Sequence, residues 1–146
     1  VVQETETGEV LMVAWMDRAA VEATRKESAR LKKTPPLLIG VTVLTSVEPN
    51  AATTEEVVWL AQLSKKAGLS GVVCSPQEAS AVRKECADLL IITPGIRPVS
   101  STKGDQKRVT TPAEARRLGA DYLVVGRPVL EAADPVKIVQ SILEEI

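Results

Sequence analysis

The residues of this chain best suited to chemistry are Gly126-Arg127, which close an apolar run, and a polar loop upstream of them. A guanidinium can grip phosphate through two parallel N–H donors. A glycine beside it lets backbone approach a ligand. The loop, 94–110, holds Arg97, Lys103, Gly104, Asp105, Gln106, Lys107 and Arg108, and Gln106 offers an amide donor. Loops of this length in small domains often carry function. Two readings of 126–127 stay open from the residues alone: an anion site, or an ordinary turn at a strand end. Lys103, Lys107 and Arg108 are expected to be solvated loop charges.

Other chemistries are excluded by what is missing. The 146 residues contain no histidine, the commonest general base near neutral pH. Neither a G-x-S-x-G, a Walker motif nor a G-x-G-x-x-G occurs. Two cysteines, Cys74 and Cys86, are too few for a metal cluster and sit in apolar surroundings. They are expected to be reduced core thiols of a cytosolic protein, with neither metal nor cofactor. A net charge of −1 and three aromatic residues (two Trp, one Tyr) leave no footprint for nucleic acid. No apolar run nears the ~20 residues that span a bilayer. The stretch Val1 to Glu9 is polar and acidic, unlike a secretory signal.

These residues must be positioned by strands and helices that alternate five times. Strands are expected at Glu9–Trp15, Leu37–Thr45, Val72–Cys74, Leu89–Thr93 and Tyr122–Val125. Helices are expected at Asp17–Lys32, with Asp17 as N-cap, at Thr54–Ala67, ended by Gly68, from Ser75 and from Thr111, and from Asp134 to the end. Ser75-Pro76-x-Glu78 and Thr111-Pro112-x-Glu114 share one start: a hydroxyl cap, proline at the first position and a glutamate reaching back. Ala87-Asp88-Leu89-Leu90 and Ala120-Asp121-Tyr122-Leu123 repeat in the same way, so a βα unit recurs. Such units build a parallel sheet, open or barrel, with function beyond the strand C-termini. Asp88 and Asp121 precede strands, at the wrong end for catalysis, and are expected to cap or solvate turns. A closed barrel has eight units in ~250 residues; five units are too few for one.

From about Pro36 onward the sequence resembles bacterial orotidine 5'-monophosphate decarboxylases. The resemblance is carried by Leu37-Leu38-Ile39-Gly40-Val41-Thr42-Val43-Leu44-Thr45-Ser46, by Gly71-Val72-Val73-Cys74-Ser75-Pro76-Gln77-Glu78-Ala79, by Thr93-Pro94-Gly95-Ile96-Arg97-Pro98, by Gly104-Asp105-Gln106-Lys107-Arg108 and by Asp121-Tyr122-Leu123-Val124-Val125-Gly126-Arg127-Pro128. It implies strands five to eight of that family's eight-stranded barrel. By position it implies that Gln106, Gly126 and Arg127 hold the nucleotide phosphate, that Ser46 contacts the pyrimidine and that Pro94 lines the same pocket. The family's catalytic Lys and its Asp-x-Lys-x-x-Asp array come from earlier strands. The one Asp-x-Lys here, Asp105-Gln106-Lys107, belongs to the phosphate loop and lacks the second Asp. A shorter stretch from Glu6 to Arg18 resembles the start of phosphoribosyl-AMP cyclohydrolase, without that family's metal-binding cysteines.

The expectation is therefore an α/β domain over 1–146, with a cyclohydrolase-like strand and helix at 1–27 and a half-barrel at 28–146. Two enzymes joined at a βα boundary imply a made chimera, a recombinant product of the cytoplasm. It is expected to lack catalysis, to retain weak affinity for phosphate or a nucleoside monophosphate, and to bind neither nucleic acid nor membrane. The alternative is residual decarboxylase-type lyase activity. Exposed strand edges and an apolar inner face imply a homo-oligomer, most simply a dimer.

Overall fold

Residues 2–3, 10–12, 18–43, 53–98 and 110–146 are described by the computed structural model. They fall into two units, Val1–Ile39 and Gly40–Ile146.

In the first unit β1 (Val2–Gln3) and β2 (Val10–Met12) pair antiparallel, Val2 opposite Met12. This corrects one expectation. The first predicted strand does not extend a parallel sheet; a tight local partner satisfies its backbone first. Helix α1 (Arg18–Arg30) follows. Thr24 and Ser28 donate their hydroxyls to the carbonyls four residues back, at 2.9 and 2.8 Å, which suits residues that are otherwise poor mid-helix. The helix ends in a left-handed residue, Lys32 with φ 55°. Its N–H reaches Ala29 O at 3.1 Å and that of Lys33 reaches Ser28 O at 3.0 Å. Lysine stands there in place of the usual glycine, ahead of Pro35-Pro36. The proposed cap Asp17 lies outside the described residues.

The second unit contains the α/β architecture expected: a four-stranded sheet in the order β3-β4-β5-β6, formed by Ile39–Val41, Gly71–Val73, Leu90–Thr93 and Tyr122–Leu123. The pairs β4/β5 and β5/β6 are parallel, with Val72 opposite Ile91 and Thr93 opposite Leu123. Among the described residues the sheet has four strands, where the alternation suggested about five.

Helices α2 (Thr53–Lys66) and α3 (Pro76–Glu85) pack on each other and on β4 and β5. Helix α2 buries Thr53, Val57 and Ala61, one residue per turn at a spacing of four. These meet Val72, Cys74, Ala79, Val82, Cys86, Leu89 and Ile91 in one core without an aromatic ring. The small Ala61 and Ala79 leave room for Ile91, which is fully buried. Each such aliphatic side chain contributes about 1.5–3 kcal/mol by leaving water.

Local chemistry sets the helix ends. Ser75 Oγ accepts from Gln77 N–H at 3.4 Å, and Thr111 Oγ1 accepts from Glu114 N–H at 3.2 Å at the head of α4 (Pro112–Arg117). The reach-back half of both capping boxes is not made. Glu78 is buried beside Cys74, and Glu114 turns to Arg117 instead. Asp134 Oδ1 accepts from Lys137 N–H at 3.1 Å and starts α6 (Pro135–Glu145). Gly68 and Gly119 end α2 and α4 in the left-handed region, at φ 74° and 105°. A short helix, α5 (Arg127–Leu130), was not anticipated; four residues show no period to read.

The strand N-termini are tied by ion pairs. Arg83 Nη1 donates to Ala87 O and Leu89 O at 2.7 and 2.9 Å, and Nη2 to Gly119 O at 2.9 Å and Asp121 Oδ2 at 2.5 Å. Asp121 Oδ2 also accepts Ile91 N–H at 2.8 Å. One guanidinium therefore joins the end of α3, the start of β5 and the turn into β6. Lys65 Nζ lies 2.5 Å from Asp88 Oδ1 and holds that carboxyl below its usual range. Both aspartates were expected to cap or solvate turns; Asp88 pairs with Lys65, and Asp121 ties the neighbouring strand and Arg83.

Candidate functional site

The opposite edge of the sheet, at the strand C-termini, gathers the described candidates. Val124 N–H bonds Thr93 O at 2.9 Å, which carries the β5/β6 pairing to the ends of both strands. Thr93 Oγ1 donates to Tyr122 O at 3.4 Å, and its side chain is fully buried. One residue beyond Thr93 comes Pro94, half-buried; three beyond Leu123 comes Gly126, with Arg127 following. The structure thus brings Pro94, Gly126 and Arg127 to neighbouring strand ends. Gln106 and Ser46 lie outside the described residues.

Gly95 holds φ 80°, and a Cβ there would meet no atom within 4 Å. The turn after β5 therefore depends on left-handed backbone and not on space. Arg127 is exposed and opens α5, whose first turn is closed by Val129 and Leu130 N–H bonds to Gly126 O at 2.9 and 3.1 Å. A four-residue helix sums few peptide dipoles. The guanidinium must carry the charge of any anion site here.

One feature at this edge was not singled out from sequence. Ile96 and Thr110 form an isolated parallel bridge, and Arg97 N–H bonds Thr110 O at 3.1 Å. Ile96, Arg97 and Thr110 are 2 %, 8 % and 4 % exposed, so the loop expected at 94–110 has a buried, paired neck. The alternation Ile96-Arg97 was the only signal, and it is two residues long. Cys74 follows β4 and is fully buried. Burial, with Glu78 nearby, pushes its thiol up to about 12. Burial raises Cys86 as well. Neither is a nucleophile near neutral pH, since the thiolate is the reactive form. Among the described residues no three His, Cys, Asp or Glu side chains group as metal ligands, and no helix is long and apolar enough to cross a membrane.

An arginine and a glycine-bearing turn stand at the C-terminal edge of consecutive parallel βα units, the edge at which βα barrels carry function. The Orotidine 5'-phosphate decarboxylase / HUMPS family matches residues 10–142, and the chain belongs to that family. It is 52 % identical over 123 residues to orotidine 5'-phosphate decarboxylase of Glaesserella parasuis serovar 5 (strain SH0165), covering 78 % of this chain and 54 % of the relative. It is 47 % identical over 141 residues to that of Moorella thermoacetica (strain ATCC 39073 / JCM 9320), covering 90 % and 56 %. A crystal structure of orotidine 5'-phosphate decarboxylase from Lactobacillus acidophilus superposes with a TM-score of 0.63 at 33 % identity, over 77 % of this chain and 50 % of that one. The Pyrococcus horikoshii OT3 structure, at 20 % identity and a TM-score of 0.59, shares the fold over 89 % and 56 %. The chain spans about half the length of the curated relatives it matches.

The family match opens at residue 10, inside the stretch that resembles the cyclohydrolase. The comparisons give no support to a cyclohydrolase segment or to a chimera. They also favour membership of an enzyme family over the expected absence of catalysis.

Proposed function

We propose that this chain forms the nucleotide-holding half of an orotidine 5'-phosphate decarboxylase-type lyase. One observation carries the reading: Arg127 opens α5 four residues beyond the end of β6, whose last residue Leu123 is paired with Thr93 at the end of β5, in a chain matched by the family across 10–142. Arg127 would grip the phosphate bidentately. Gly126 would let the backbone close on it, with Gln106 donating from the loop. Pro94 and Ser46 would line the pyrimidine pocket. These residues bind and orient. They fix the base over the position where the C6 carboxylate leaves and hold remote phosphate contacts that hold the substrate through the reaction. The proton that replaces carbon dioxide must come from another group, because the Asp-x-Lys-x-x-Asp array does not occur in these 146 residues.

In a second reading, these 146 residues by themselves, which carry the binding groups named above and not that array, bind nucleotide without turnover. The experiment is calorimetric titration with uridine monophosphate, run beside orotidine monophosphate turnover. Saturable binding lost in Arg127→Ala supports the site. Turnover above background decides for the lyase; binding without turnover decides for the second reading. No binding by the folded chain overturns both. A spliced origin for residues 1–27 is supported by the Glu6–Arg18 stretch alone, and the family match runs through part of it.

A further inference from the structure

We infer that Ile96 is a positioning residue: it fixes the span between Pro94 and Arg127, so that the site measures a whole nucleoside monophosphate and not a phosphate alone. The inference rests on the nucleotide reading above. Pro94 and Arg127 follow different strands, so packing and not the chain sets their separation. Ile96 lies two residues beyond Pro94, and Val125 lies two before Arg127. Both belong to one small cluster. Ile96, Ala115 and Ala120 are buried in it, and Leu123 and Val125 pack against them. This cluster is separate from the core of α2 and α3. One aliphatic side chain therefore fastens the turn after β5 to the strand that leads into Gly126-Arg127.

The turn has little freedom of its own. Val124 N–H donates to Thr93 O at 2.9 Å on one side of it, and Arg97 N–H donates to Thr110 O at 3.1 Å on the other. Between these ties stand Pro94, whose ring fixes φ, and Gly95 at φ 80°. A Cβ at Gly95 or at Gly126 would meet no described atom within 4 Å. The close-packed side of this edge is the side held by Ile96. Its buried partners are both alanines, so Ile96 is the one large side chain fully inside the cluster among the described residues. Isoleucine is stiff at χ1, and a close-packed interior passes displacement on instead of absorbing it. Trimming Ile96 leaves space that two alanines cannot fill. The turn then shifts against β6. A ligand that must reach both Pro94 and Arg127 loses affinity, whereas one that reaches Arg127 alone does not.

The test is calorimetric titration with two probes, uridine monophosphate and ribose 5-phosphate, which keeps the phosphate and sugar and lacks the base. The mild variant Ile96→Val should weaken uridine monophosphate by roughly tenfold, as small misplacements in a fitted site do, and leave ribose 5-phosphate unchanged. Val82→Ala is the control. Val82 is fully buried in the other core, so its truncation also opens a cavity and costs stability, yet both affinities should stay as in the parent. Urea midpoints show that each variant folds. Equal weakening of the two probes by Ile96→Val overturns the inference, and so does no weakening of either. A selective loss of uridine monophosphate in Val82→Ala overturns it as well, since general loosening would then suffice. A parent that binds both probes equally overturns the inference and leaves the phosphate grip standing. A parent that binds neither overturns the nucleotide reading, and this inference with it.

Discussion

Arg127 and Cys74 sit at the same edge of the sheet and show how residue type and burial divide tasks there. Arg127 is exposed and always charged, ready to meet an anion. Its replacement by alanine should weaken uridine monophosphate binding at least tenfold, since a hydrogen-bonded charge pair contributes about 1.5–3 kcal/mol; calorimetry reads this directly. Cys74 is the opposite case, a thiol kept protonated by burial, up to about 12. Below the ordinary thiol range both folded and unfolded chains keep this proton, and the stability is whole. As pH rises past that range the unfolded chain loses the proton and the folded one does not. Stability should therefore fall between about pH 9 and 12, and urea titrations at pH 8 and 10.5 should show a smaller drop for Cys74→Ala than for the parent. The position of Arg127 was legible in sequence because it follows directly from where a strand ends. The buried Arg97 was not, because its burial depends on pairing across to Thr110.

At the scale of elements, helix starts were readable and their partners were not. Ser75-Pro76, Thr111-Pro112 and Asp134-Pro135 each complete their chemistry within four residues, and all three hydrogen bonds form. The Arg83 clamp ties residues up to 38 apart in sequence, a separation that no local pattern encodes. Arg83→Ala should cost about 2–4 kcal/mol, because it strips donors from several carbonyls and a carboxylate that are partly buried. The measurement is the denaturation midpoint; nucleotide affinity at the far edge should change less than in Arg127→Ala. Gly95→Ala should show the converse. Left-handed alanine costs about 1 kcal/mol, and any relief of that strain moves Pro94, so affinity should fall with little loss of stability.

For the whole molecule, the alternation of strands and helices predicted the parallel sheet, of which four strands lie among the described residues. The apolar run around Val10–Met12 reads equally well as a member of a large sheet or as half of a hairpin, and its partner lies nearby at Val2–Gln3. The four remaining strands leave two ends that bear apolar side chains. If the expected homo-oligomer forms, folding and association are coupled by mass action. The midpoint of thermal unfolding should then rise with protein concentration, by several degrees over a hundredfold range; a midpoint independent of concentration would count against association.

The bridge between Ile96 and Thr110 has a consequence for how such a protein can change. With the neck fixed by pairing and burial, the segment between its ends is closed at a cost that grows only with the logarithm of its length, about 0.6 kcal/mol per doubling. Insertions there burden the sheet very little. The segment joined by this neck is therefore where new lengths and compositions can be tried while the scaffold beneath stays the same.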